Sequence, residues 1–456
     1  MNALLTDLYE LTMSAGYFAA GKHQETAVFE LTIRRLPRNR DFVLAAGLHH
    51  AVDYLLNLSF TANEIAYLRG LPSLRGAPSG FWDYLAAFRF TGDVFTVPEG
   101  TVLYEGQPVM NVRAPLIEGQ IPETWLLAAI GYETLVATKA ARIVHAAEGR
   151  DIIEFGTRRA HSPEAGVLGA RAAYIGGCAG TSNTLAGYRY GIPVLGTAAH
   201  SWVMSFASES EAFERLQRLL GERTVHLIDT YDTLEGARTA ARLGRPLWGV
   251  RIDSGDLVPL SRDVRKILDD AGLPDARIMA SGDLDESKIA ALVAAGAPID
   301  AFGVGTELTT SADAPSIGAV YKMVAIGNPG NVRYPVKSSP EKHTIPGAKQ
   351  LFRLPDHDVL GLATECVSGS EAMLKPVILG GHLVDDLPNA TQVRERAFAA
   401  LRNWPKADRR TVLTARLKAL ASQPHQPQSH AALHVGQAIS SPADASPDAG
   451  TRGTKQ

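Results

Sequence analysis

The sequence predicts an α/β protein in which an irregular (β/α) barrel of parallel strands accompanies a smaller α+β domain built from N-terminal and late-chain segments. Between residues 125 and 324, short apolar runs alternate with helical patterns, which is typical of parallel βα units. Residues 1–124 and 325–385 are mixed and rich in turns, which indicates a small antiparallel unit. Sequence alone does not distinguish a barrel from an open parallel sheet, but several consecutive units favour the barrel.

The strands and helices of the barrel segment are placed by their hydrophobic patterns. The predicted strands are residues 152–155, 193–195, 225–228, 248–252, 277–280 and 301–304. The predicted helices between them are residues 209–220, 234–243, 261–271 and 286–295. Ser208 and Glu211 give the first of these helices a capping-box start.

Four regions follow from this reading of the chain. Residues 1–124 form an N-terminal α+β domain, which we expect residues 325–385 to complete. Residues 125–324 form the barrel, and residues 386–420 a C-terminal helical segment. Residues 421–456 are rich in Gln, Ser, Pro, Ala and His and carry almost no large apolar groups, so we expect a disordered tail.

Composition excludes several classes of protein. The formal net charge of the 456 residues is -3, so no broad basic surface is expected to hold nucleic acid or an anionic membrane. The only cysteines, Cys178 and Cys366, exclude a disulfide framework and suit the reducing cytoplasm. Asp7 and Glu10 fall where a secretion signal would be apolar. The apolar stretch at 125–141 is too short and too polar to span a bilayer and predicts a buried helix.

Polar residues follow every predicted strand directly. In a parallel βα array, the C-terminal ends of the strands lie on one face, where barrel enzymes place their active sites. One such cluster would carry little weight, but six in chain order indicate a common site. The six clusters are residues 154–159, 196–201, 229–232, 251–256, 281–283 and 303–306.

Glycines at two successive strand ends suit a phosphate. Gly282, Gly303 and Gly305 would present backbone amides there, as phosphate sites of barrels commonly do. The alternative is that they are ordinary turn glycines. Asp283 is open to two interpretations as well, since with Glu286 it could form a plain helix N-cap.

Two carboxylates end neighbouring strands. Asp229 and Asp253 suit a magnesium ion, held directly or through water, or a ribose diol. The alternative is a pair of structural caps. Arg251 offers positive charge for a phosphate, or an internal ion pair with Asp253. We favour the functional interpretation because both acids follow apolar strands directly.

An arginine and a histidine complete the candidate residues. Arg158 follows Gly156 at a strand end and could clamp a carboxylate or phosphate with two hydrogen bonds. The alternative is that one of the tandem pair Arg158 and Arg159 is simply solvated. His200 lies in a turn of Gly, Ala and Ser, where it could act as a base, a donor or a phosphate acceptor. Taken alone, a structural histidine is the safer interpretation.

The same segments resemble the nicotinate phosphoribosyltransferases. The resemblance rests above all on EFGTRRA at residues 154–160 and GTAAHS at residues 196–201. It runs in order from residue 4 to about residue 385, which makes it far more specific than any glycine pair. The other matching segments are residues 6–13, 138–142, 229–233, 251–256, 281–286, 302–306 and 337–350.

The resemblance implies a reaction and its partners. The family joins nicotinate to phosphoribosyl pyrophosphate, giving nicotinate mononucleotide and pyrophosphate, with Mg²⁺ and with coupled ATP hydrolysis. His200 matches the histidine that the family phosphorylates from ATP. Arg158 matches the arginine beside the pyridine ring and suits the nicotinate carboxylate. Phe155 would stack on one face of the ring, and Tyr9 of a second subunit would cover the other, which implies a homodimer with shared sites.

The remaining positions are assigned in the same way. The resemblance places Arg251 and Asp253 at the ribose and pyrophosphate, Asp229 near the magnesium, and Gly282, Asp283, Gly303 and Gly305 at the 5′-phosphate. Three further residues are expected to bind substrate: Lys139 and Thr306, which lie in matching segments, and Thr181, which precedes Ser182.

Ser182 bears on the choice of substrate. Nicotinamide-using relatives carry an aspartate at this position, which could accept from a carboxamide but would repel nicotinate. Serine therefore favours nicotinate over the first rival function, a nicotinamide phosphoribosyltransferase.

A second rival is a non-catalytic barrel that binds a sugar phosphate, although such a protein has no need of His200, or of Arg158 beside Phe155. A decarboxylating quinolinate enzyme would be expected to carry more basic residues for its dicarboxylate.

Overall fold

A parallel sheet and an antiparallel sheet organise the chain. The structure, a computed structural model, describes residues 3–328, 330–336, 344–402 and 409–422. The helices of this part are α1 (Leu8–Ala19), α2 (Leu48–Asn57), α3 (Ala62–Gly70), α4 (Ser79–Ala86), α5 (Leu116–Gln120), α6 (Glu123–Ala146), α7 (Pro163–Ile175), α8 (Thr184–Tyr190), α9 (His200–Met204), α10 (Glu209–Leu220), α11 (Thr233–Leu243), α12 (Leu257–Asp270), α13 (Glu286–Ala294), α14 (Thr306–Thr309), α15 (Ala390–Leu401) and α16 (Ala415–Ala421). The strands are β1 (Thr26–Arg35), β2 (Val43–Leu44), β3 (Asp93–Thr96), β4 (Val102–Leu103), β5 (Pro108–Pro115), β6 (Asp151–Glu154), β7 (Gly180–Thr181), β8 (Val225–Leu227), β9 (Gly249–Ile252), β10 (Arg277–Ala280), β11 (Ala301–Val304), β12 (Gly318–Asn328), β13 (Asn331–Arg333), β14 (Lys349–Arg353), β15 (Asp358–Leu362), β16 (Glu371–Ala372), β17 (Lys375–Leu379), β18 (His382–Leu383) and β19 (Thr411–Leu413).

The parallel sheet contains the six strands β6 to β11, in the order β7-β6-β11-β10-β9-β8. β11, the last of these six strands in chain order, pairs with β6, the first, from Ala301 beside Asp151 to Val304 beside Glu154. This circular order is the one that a barrel requires. Among the described residues, however, no backbone pairing joins β7 to β8. The predicted barrel is therefore present as a curved, circularly ordered sheet that is not closed.

The opening lies at residues 193–195, the second predicted strand, because this segment does not form a full strand of the sheet. This segment contributes a single parallel bridge, between Thr181 and Val194, and β7 itself has two residues. Val194 and Leu195 are exposed, so no packed face supports a longer strand at this position.

Alternate residues of the parallel strands face different surroundings, as the period of two in a strand requires. Ile153 and Met279 pack with Phe155 on the concave side of the sheet. Ile152, Val250 and other residues of the opposite face pack against the surrounding helices. Phe155 and Ser281, two residues after Ile153 and Met279, and Arg251, which pairs with Met279, therefore point to the same concave side.

The helices predicted between these strands are present. The predicted segments correspond to α10, α11, α12 and α13, and Ser208 caps α10 by accepting a hydrogen bond from the Glu211 amide. The apolar stretch at 125–141 lies within the largely buried helix α6, as expected. None of the helices in the described ranges is long and apolar enough to cross a membrane.

The antiparallel sheet joins two distant parts of the sequence. Its order is β13-β12-β1-β5-β3-β17-β18, so three strands of the N-terminal region lie together in the middle and strands from after residue 317 flank them on both sides. β1 is an inner strand, which pairs with β12 on one side and β5 on the other. This confirms that N-terminal and late-chain segments build one α+β unit, while the exact domain boundaries stay predictions.

The C-terminal segment contains a strand as well as helices. Between α15 and α16 lies β19, which pairs in parallel with β15. The helical interpretation of residues 386–420 did not include this strand, because its stability depends on a partner far away in the sequence. The predicted disordered tail lies, from residue 423 onward, outside the described residues.

Candidate active site

Arg251 is the centre of a hydrogen-bonded group at the C-terminal ends of the parallel strands. Its Nε donates to Ser281 Oγ at 2.7 Å, and its Nη1 donates to Thr197 Oγ1 at 2.7 Å. Its Nη2 donates to Asp253 Oδ1 at 2.6 Å. Because these partners follow different strands, one guanidinium fixes the relative positions of several strand ends.

Asp253 is held as a carboxylate by this group. It accepts from the Ser281 hydroxyl at 2.5 Å as well as from Arg251. Burial alone would raise the pKa of Asp253, but the Ser281 hydrogen bond and the Arg251 charge lower it below its ordinary value. The internal ion pair considered from sequence is thus present, and it keeps Asp253 ionised at the face where ligands would bind.

Asp229 has one carboxylate oxygen satisfied and one free. Oδ2 accepts from the backbone amide of Asp253 at 3.0 Å and from the Ser254 hydroxyl at 2.7 Å. Oδ1 is buried and has no hydrogen-bond partner in the described part of the chain. A buried oxygen in this state calls for a cation or water. Magnesium commonly binds one or two carboxylates and completes its shell with water and phosphate oxygens.

The residues present therefore fit a magnesium ion that shares its ligands with a substrate. Asp229 Oδ1 would be the protein ligand, and Asp253 lies next to it. No cluster of three or more His, Cys, Asp or Glu side chains able to hold an ion occurs in the residues that the structure covers. A site built wholly of protein ligands is thus not found there.

His200 is the first residue of α9 and faces the same group. Its Nδ1 lies 3.2 Å from Thr230 Oγ1, and its Nε2 lies 3.8 Å from Asp253 Oδ2. Its side chain is 41% exposed, so a ligand can reach the ring. The prediction that His200 lies with Arg251 and Asp253 agrees with this placement, whereas its role stays a prediction.

Phe155 lies on the concave side of the sheet, close to Arg251. The guanidinium carbon of Arg251 is 5.6 Å from the centre of the Phe155 ring, within the range of a cation–π contact. A side chain at Gly303 would bring its Cβ within 2.5 Å of Phe155 Cδ2. Gly303 therefore has a steric reason to be glycine, since its missing side chain admits the ring.

Arg158 and Ser182 follow neighbouring strands. Arg158 lies in a single 3-10 turn, Thr157–Arg159, directly after β6, and its side chain is exposed. Within the described ranges it makes no hydrogen bond or ion pair. Ser182 is exposed directly after β7, which pairs in parallel with β6. Thr181, by contrast, is fully buried.

The glycine-containing turn after β10 has an unusual backbone. Gly282 has φ +102°, and a Cβ there would lie 2.2 Å from the carbonyl oxygen of Asp253. Asp283 also has a positive φ, of 47°, and is exposed. The N-cap of α13 is Asp285, which accepts from the Lys288 amide at 2.8 Å, so the alternative of Asp283 as N-cap is wrong.

The last strand end leads into a short helix. Gly305 precedes α14, and Thr306 is its first residue. A Cβ on Gly305 would lie 3.3 Å from the carbonyl oxygen of Phe155, so the two strand ends approach closely here. Gly282 and Gly305 thus lie at the expected strand ends, and their contact with a phosphate stays a prediction.

Lys139 belongs to a separate ion-pair cluster. Its Nζ lies 2.5 Å from Glu286 and 2.8 Å from Asp313, and Asp313 also pairs with Arg40 at 2.5 Å. The lysine side chain is almost fully buried. Lys139 is therefore engaged by two carboxylates, and within the described residues no hydrogen bond or ion pair joins it to the Arg251 group. Its role in substrate binding stays a prediction.

Tyr9 lies on α1, and 45% of its surface is exposed to solvent. Partial burial and the acids Glu123, Glu10 and Asp7 raise the pKa of its phenol above the ordinary value. No hydrogen bond in the described residues joins α1 to the Arg251 group. The role of Tyr9 in the site of a second subunit stays a prediction.

Sequence reasoning missed the hydroxyl and acid groups that organise the site. Thr197, Ser281 and Thr230 orient Arg251, Asp253 and His200, and Glu154 is buried beneath the turn that carries Arg158. All four lie inside the motif segments, which was the available signal. Serine and threonine are common in turns, so the pattern did not reveal which hydroxyls were engaged.

The fold and the site define an α/β enzyme that binds an anionic ligand at the C-terminal ends of its parallel strands. Two family profiles match the chain. The nicotinate phosphoribosyltransferase (NAPRTase) N-terminal domain covers residues 4–131, and the nicotinate phosphoribosyltransferase (NAPRTase) family covers residues 151–332. The chain belongs to the nicotinate phosphoribosyltransferase family.

Individual relatives agree. The chain is 45% identical over 395 residues to the nicotinate phosphoribosyltransferase pncB2 of Mycobacterium tuberculosis, covering 84% of this chain and 83% of that protein. It is 45% identical over 361 residues to the nicotinate phosphoribosyltransferase of Bacillus subtilis, covering 77% and 73%. The crystal structure of human nicotinic acid phosphoribosyltransferase superposes with a TM-score of 0.80 at 29% identity, covering 91% of this chain and 99% of that one.

Proposed function

We propose that the protein transfers the phosphoribosyl group of phosphoribosyl pyrophosphate to the ring nitrogen of nicotinate. The products are nicotinate mononucleotide and pyrophosphate. The observation that carries this proposal is Arg158, an exposed guanidinium without a partner in the described residues, on the turn directly after Phe155. An aromatic ring beside a free guanidinium suits a planar aromatic carboxylate.

The chemistry needs positioning and charge more than proton transfer. A bond forms between the pyridine nitrogen and the anomeric carbon of the ribose, and the bond from that carbon to the pyrophosphate oxygen breaks. The ring nitrogen carries a free lone pair at neutral pH, so no general base is required. Arg251 supplies positive charge at the face where pyrophosphate would leave, and its shielded position strengthens that interaction.

Magnesium and ATP complete the proposal. A magnesium ion on Asp229 and Asp253 would neutralise charge on the pyrophosphate. In a coupled step, a ring nitrogen of His200 attacks the γ-phosphorus of ATP and ADP leaves. Water then attacks the phosphohistidine, the N–P bond breaks, and phosphate is released from the regenerated His200. The phosphohistidine would add about -1.5 to -2 charges beside Asp253, if it resembles other phospho-residues. Repulsion between these anions would favour a rearrangement of the exposed segment before α9 and so couple ATP hydrolysis to turnover.

We also propose a homodimer with shared active sites, in the cytoplasm. Two groups stand out among the exposed apolar side chains because each brings several of them close together in the sequence, and soluble monomers seldom leave apolar patches uncovered. One group lies on and before α1, at Leu5, Leu8, Tyr9 and Met13. The other lies around α8 and α9, at Leu185, Tyr188, Val194, Leu195 and Met204. Contact between the first group of one subunit and the second group of its partner would bring Tyr9 towards the site.

Product analysis tests the proposal directly. The purified chain is supplied with phosphoribosyl pyrophosphate and Mg²⁺, with nicotinate or nicotinamide, and with or without ATP, and the mononucleotide is measured by mass spectrometry. We expect nicotinate mononucleotide, formed faster with ATP, and little product from nicotinamide. Preferential use of nicotinamide would support the first rival, and binding without release of pyrophosphate would support a non-catalytic protein.

A further inference from the structure

A buried carboxylate lies behind the two turns that carry Arg158 and Ser182. Glu154 is the last residue of β6, and it is 1% exposed. It points to the opposite side of the sheet from Phe155, so it cannot touch a ligand on the concave face. Among the described residues, no lysine, arginine or histidine forms a salt bridge with it.

Two donors from two different turns satisfy this carboxylate. The amide of Gly156 donates to Oε1, and the Thr181 hydroxyl donates to Oε2 at 2.5 Å. Burial raises the pKa of Glu154, and these two hydrogen bonds oppose that rise. Because no cation compensates the carboxylate, its stability depends on keeping both donors in place.

Further hydrogen bonds connect the same two turns. The amide of Ser182 donates to the carbonyl oxygen of Glu154 at 2.9 Å. Asn183 donates from its backbone amide to Thr181 Oγ1 at 2.9 Å and from Nδ2 to Thr157 Oγ1 at 3.1 Å. Residues 154–157 and 181–183 therefore form one connected network, in which Glu154, Gly156, Thr181 and Asn183 are buried.

We propose that Glu154 is a positioning residue that fixes the spacing of the Arg158 turn and the Ser182 turn, and so sets recognition of the pyridine carboxylate. This inference rests on the proposed function. A carboxylate held between a guanidinium on one turn and a hydroxyl on the next is sensitive to their separation, since displacements of about 1 Å can cost roughly 100-fold in rate. The network should affect nicotinate more than phosphoribosyl pyrophosphate, because Arg251, Asp229 and Asp253 belong to other strand ends.

Glu154→Gln is the most direct test because it preserves shape. The amide group that replaces one oxygen must face either the Gly156 amide or the Thr181 hydroxyl, and at least one of the two donors then loses its acceptor. In the full-length protein we expect KM for nicotinate to rise about 10-fold or more, with KM for phosphoribosyl pyrophosphate within about twofold of wild type. The preference for nicotinate over nicotinamide should fall by a similar factor.

Thr181 supplies a matched pair of variants in case Glu154→Gln folds poorly. Thr181→Ser keeps the hydroxyl, so its KM for nicotinate should rise far less than that of Thr181→Val. Thr181→Val removes it and should reproduce the effect of Glu154→Gln. The double variant should be no worse than the poorer single variant, since both remove the same link.

The outcomes separate this inference from the proposed function. A wild-type chain that forms no nicotinate mononucleotide ends the proposed function, whatever the variants do. If the wild type is active, the inference is overturned by Glu154→Gln with an unchanged KM for nicotinate. It is also overturned by an equal loss for all substrates that tracks a lower melting temperature, because that result describes a purely structural residue.

Discussion

The Nη2 atom of Arg251 lies 2.6 Å from Oδ1 of Asp253, and this ion pair lies at the C-terminal end of strand β9. The same guanidinium reaches Ser281 and Thr197, while the other oxygen of Asp253 faces His200. A change at Arg251 therefore affects both the charge of the site and the orientation of the groups expected to bind pyrophosphate and ATP.

Arg251→Lys tests whether the hydrogen-bond geometry of the Arg251 guanidinium matters in addition to its positive charge. A lysine ammonium is a point charge on a flexible stem and cannot bond Ser281, Thr197 and Asp253 together. We expect kcat/KM for phosphoribosyl pyrophosphate to fall by about 100-fold or more. Arg277→Lys, at the opposite end of the neighbouring strand β10, is the matched control and should stay close to wild type. Equal activity of the two variants would contradict the assignment of Arg251.

His200→Ala tests the coupling to ATP. Without the imidazole no phosphohistidine can form, so the variant should retain measurable transfer but lose the acceleration that ATP gives the wild type. Initial rates with and without ATP, together with phosphate release, provide the measurement. His382→Ala, an exposed histidine on β18, should keep the full response. A normal ATP response in His200→Ala would refute the proposed coupling.

Ser182→Asp tests the choice between acid and amide. The new carboxylate would repel nicotinate and accept a hydrogen bond from the carboxamide of nicotinamide. We expect the ratio of kcat/KM for nicotinate to that for nicotinamide to fall by about 10-fold to 100-fold. Thr184→Asp places the same charge on a nearby exposed residue and should leave the ratio almost unchanged. If both variants shift the ratio equally, general charge and not position 182 is responsible.

The sequence allowed much of this site to be located because local signals marked the strand ends. Apolar runs placed β6 and β8 to β11, and the polar residues after them gave Asp229, Arg251, Asp253 and His200. What could not be predicted depends on contacts between distant segments. The sheet stays open between β7 and β8, although residues 193–195 and 225–228 both have the apolar pattern of a strand. β19 forms only because β15 lies beside it.

Lys139 illustrates the same limit at a single residue. The motif around it suggested a substrate contact, whereas the structure gives it Glu286 and Asp313 as partners. Asp313 also pairs with Arg40, which comes from a different part of the chain. No local pattern indicates that these charges meet. The hydroxyl partners of Arg251 and the two donors to Glu154 are hidden from sequence for the same reason.

Glu10→Gln tests a pH dependence of stability. Glu10 is fully buried, and burial raises the pKa of its carboxyl from 4.5 to about 7 despite hydrogen bonds from Thr124 and Thr6. The folded protein therefore keeps a proton that the unfolded chain releases between these values. Stability from this group is fully present below pH 4.5 and is lost as the pH rises through 7.

The stability of the glutamine variant should not fall in this way as the pH rises, because the glutamine side chain is neutral at every pH. We expect its melting temperature to match wild type near pH 5 and to exceed it by a few degrees at pH 8. Glu222→Gln, at an exposed position, should follow the wild-type curve. A constant difference between Glu10→Gln and wild type across this range would show that Glu10 does not titrate as described.

Mixing two defective variants tests whether the active site is shared between subunits. Tyr9→Ala and Arg158→Ala should each be strongly impaired as homodimers. In a heterodimer, one site would combine Tyr9 of the Arg158→Ala subunit with Arg158 of the Tyr9→Ala subunit, and this site is intact. Random association in equal amounts gives half heterodimers with one intact site of two, so activity should recover to about a quarter of wild type.

The alternative arrangement gives a different result in the same experiment. If Tyr9 served the site of its own chain, each site of a heterodimer would carry one of the two defects. Activity after mixing would then equal the mean of the two homodimers. Co-expression with two affinity tags, followed by purification on both, isolates the heterodimer. In that sample the recovery should reach about half of wild type, since one of its two sites is intact.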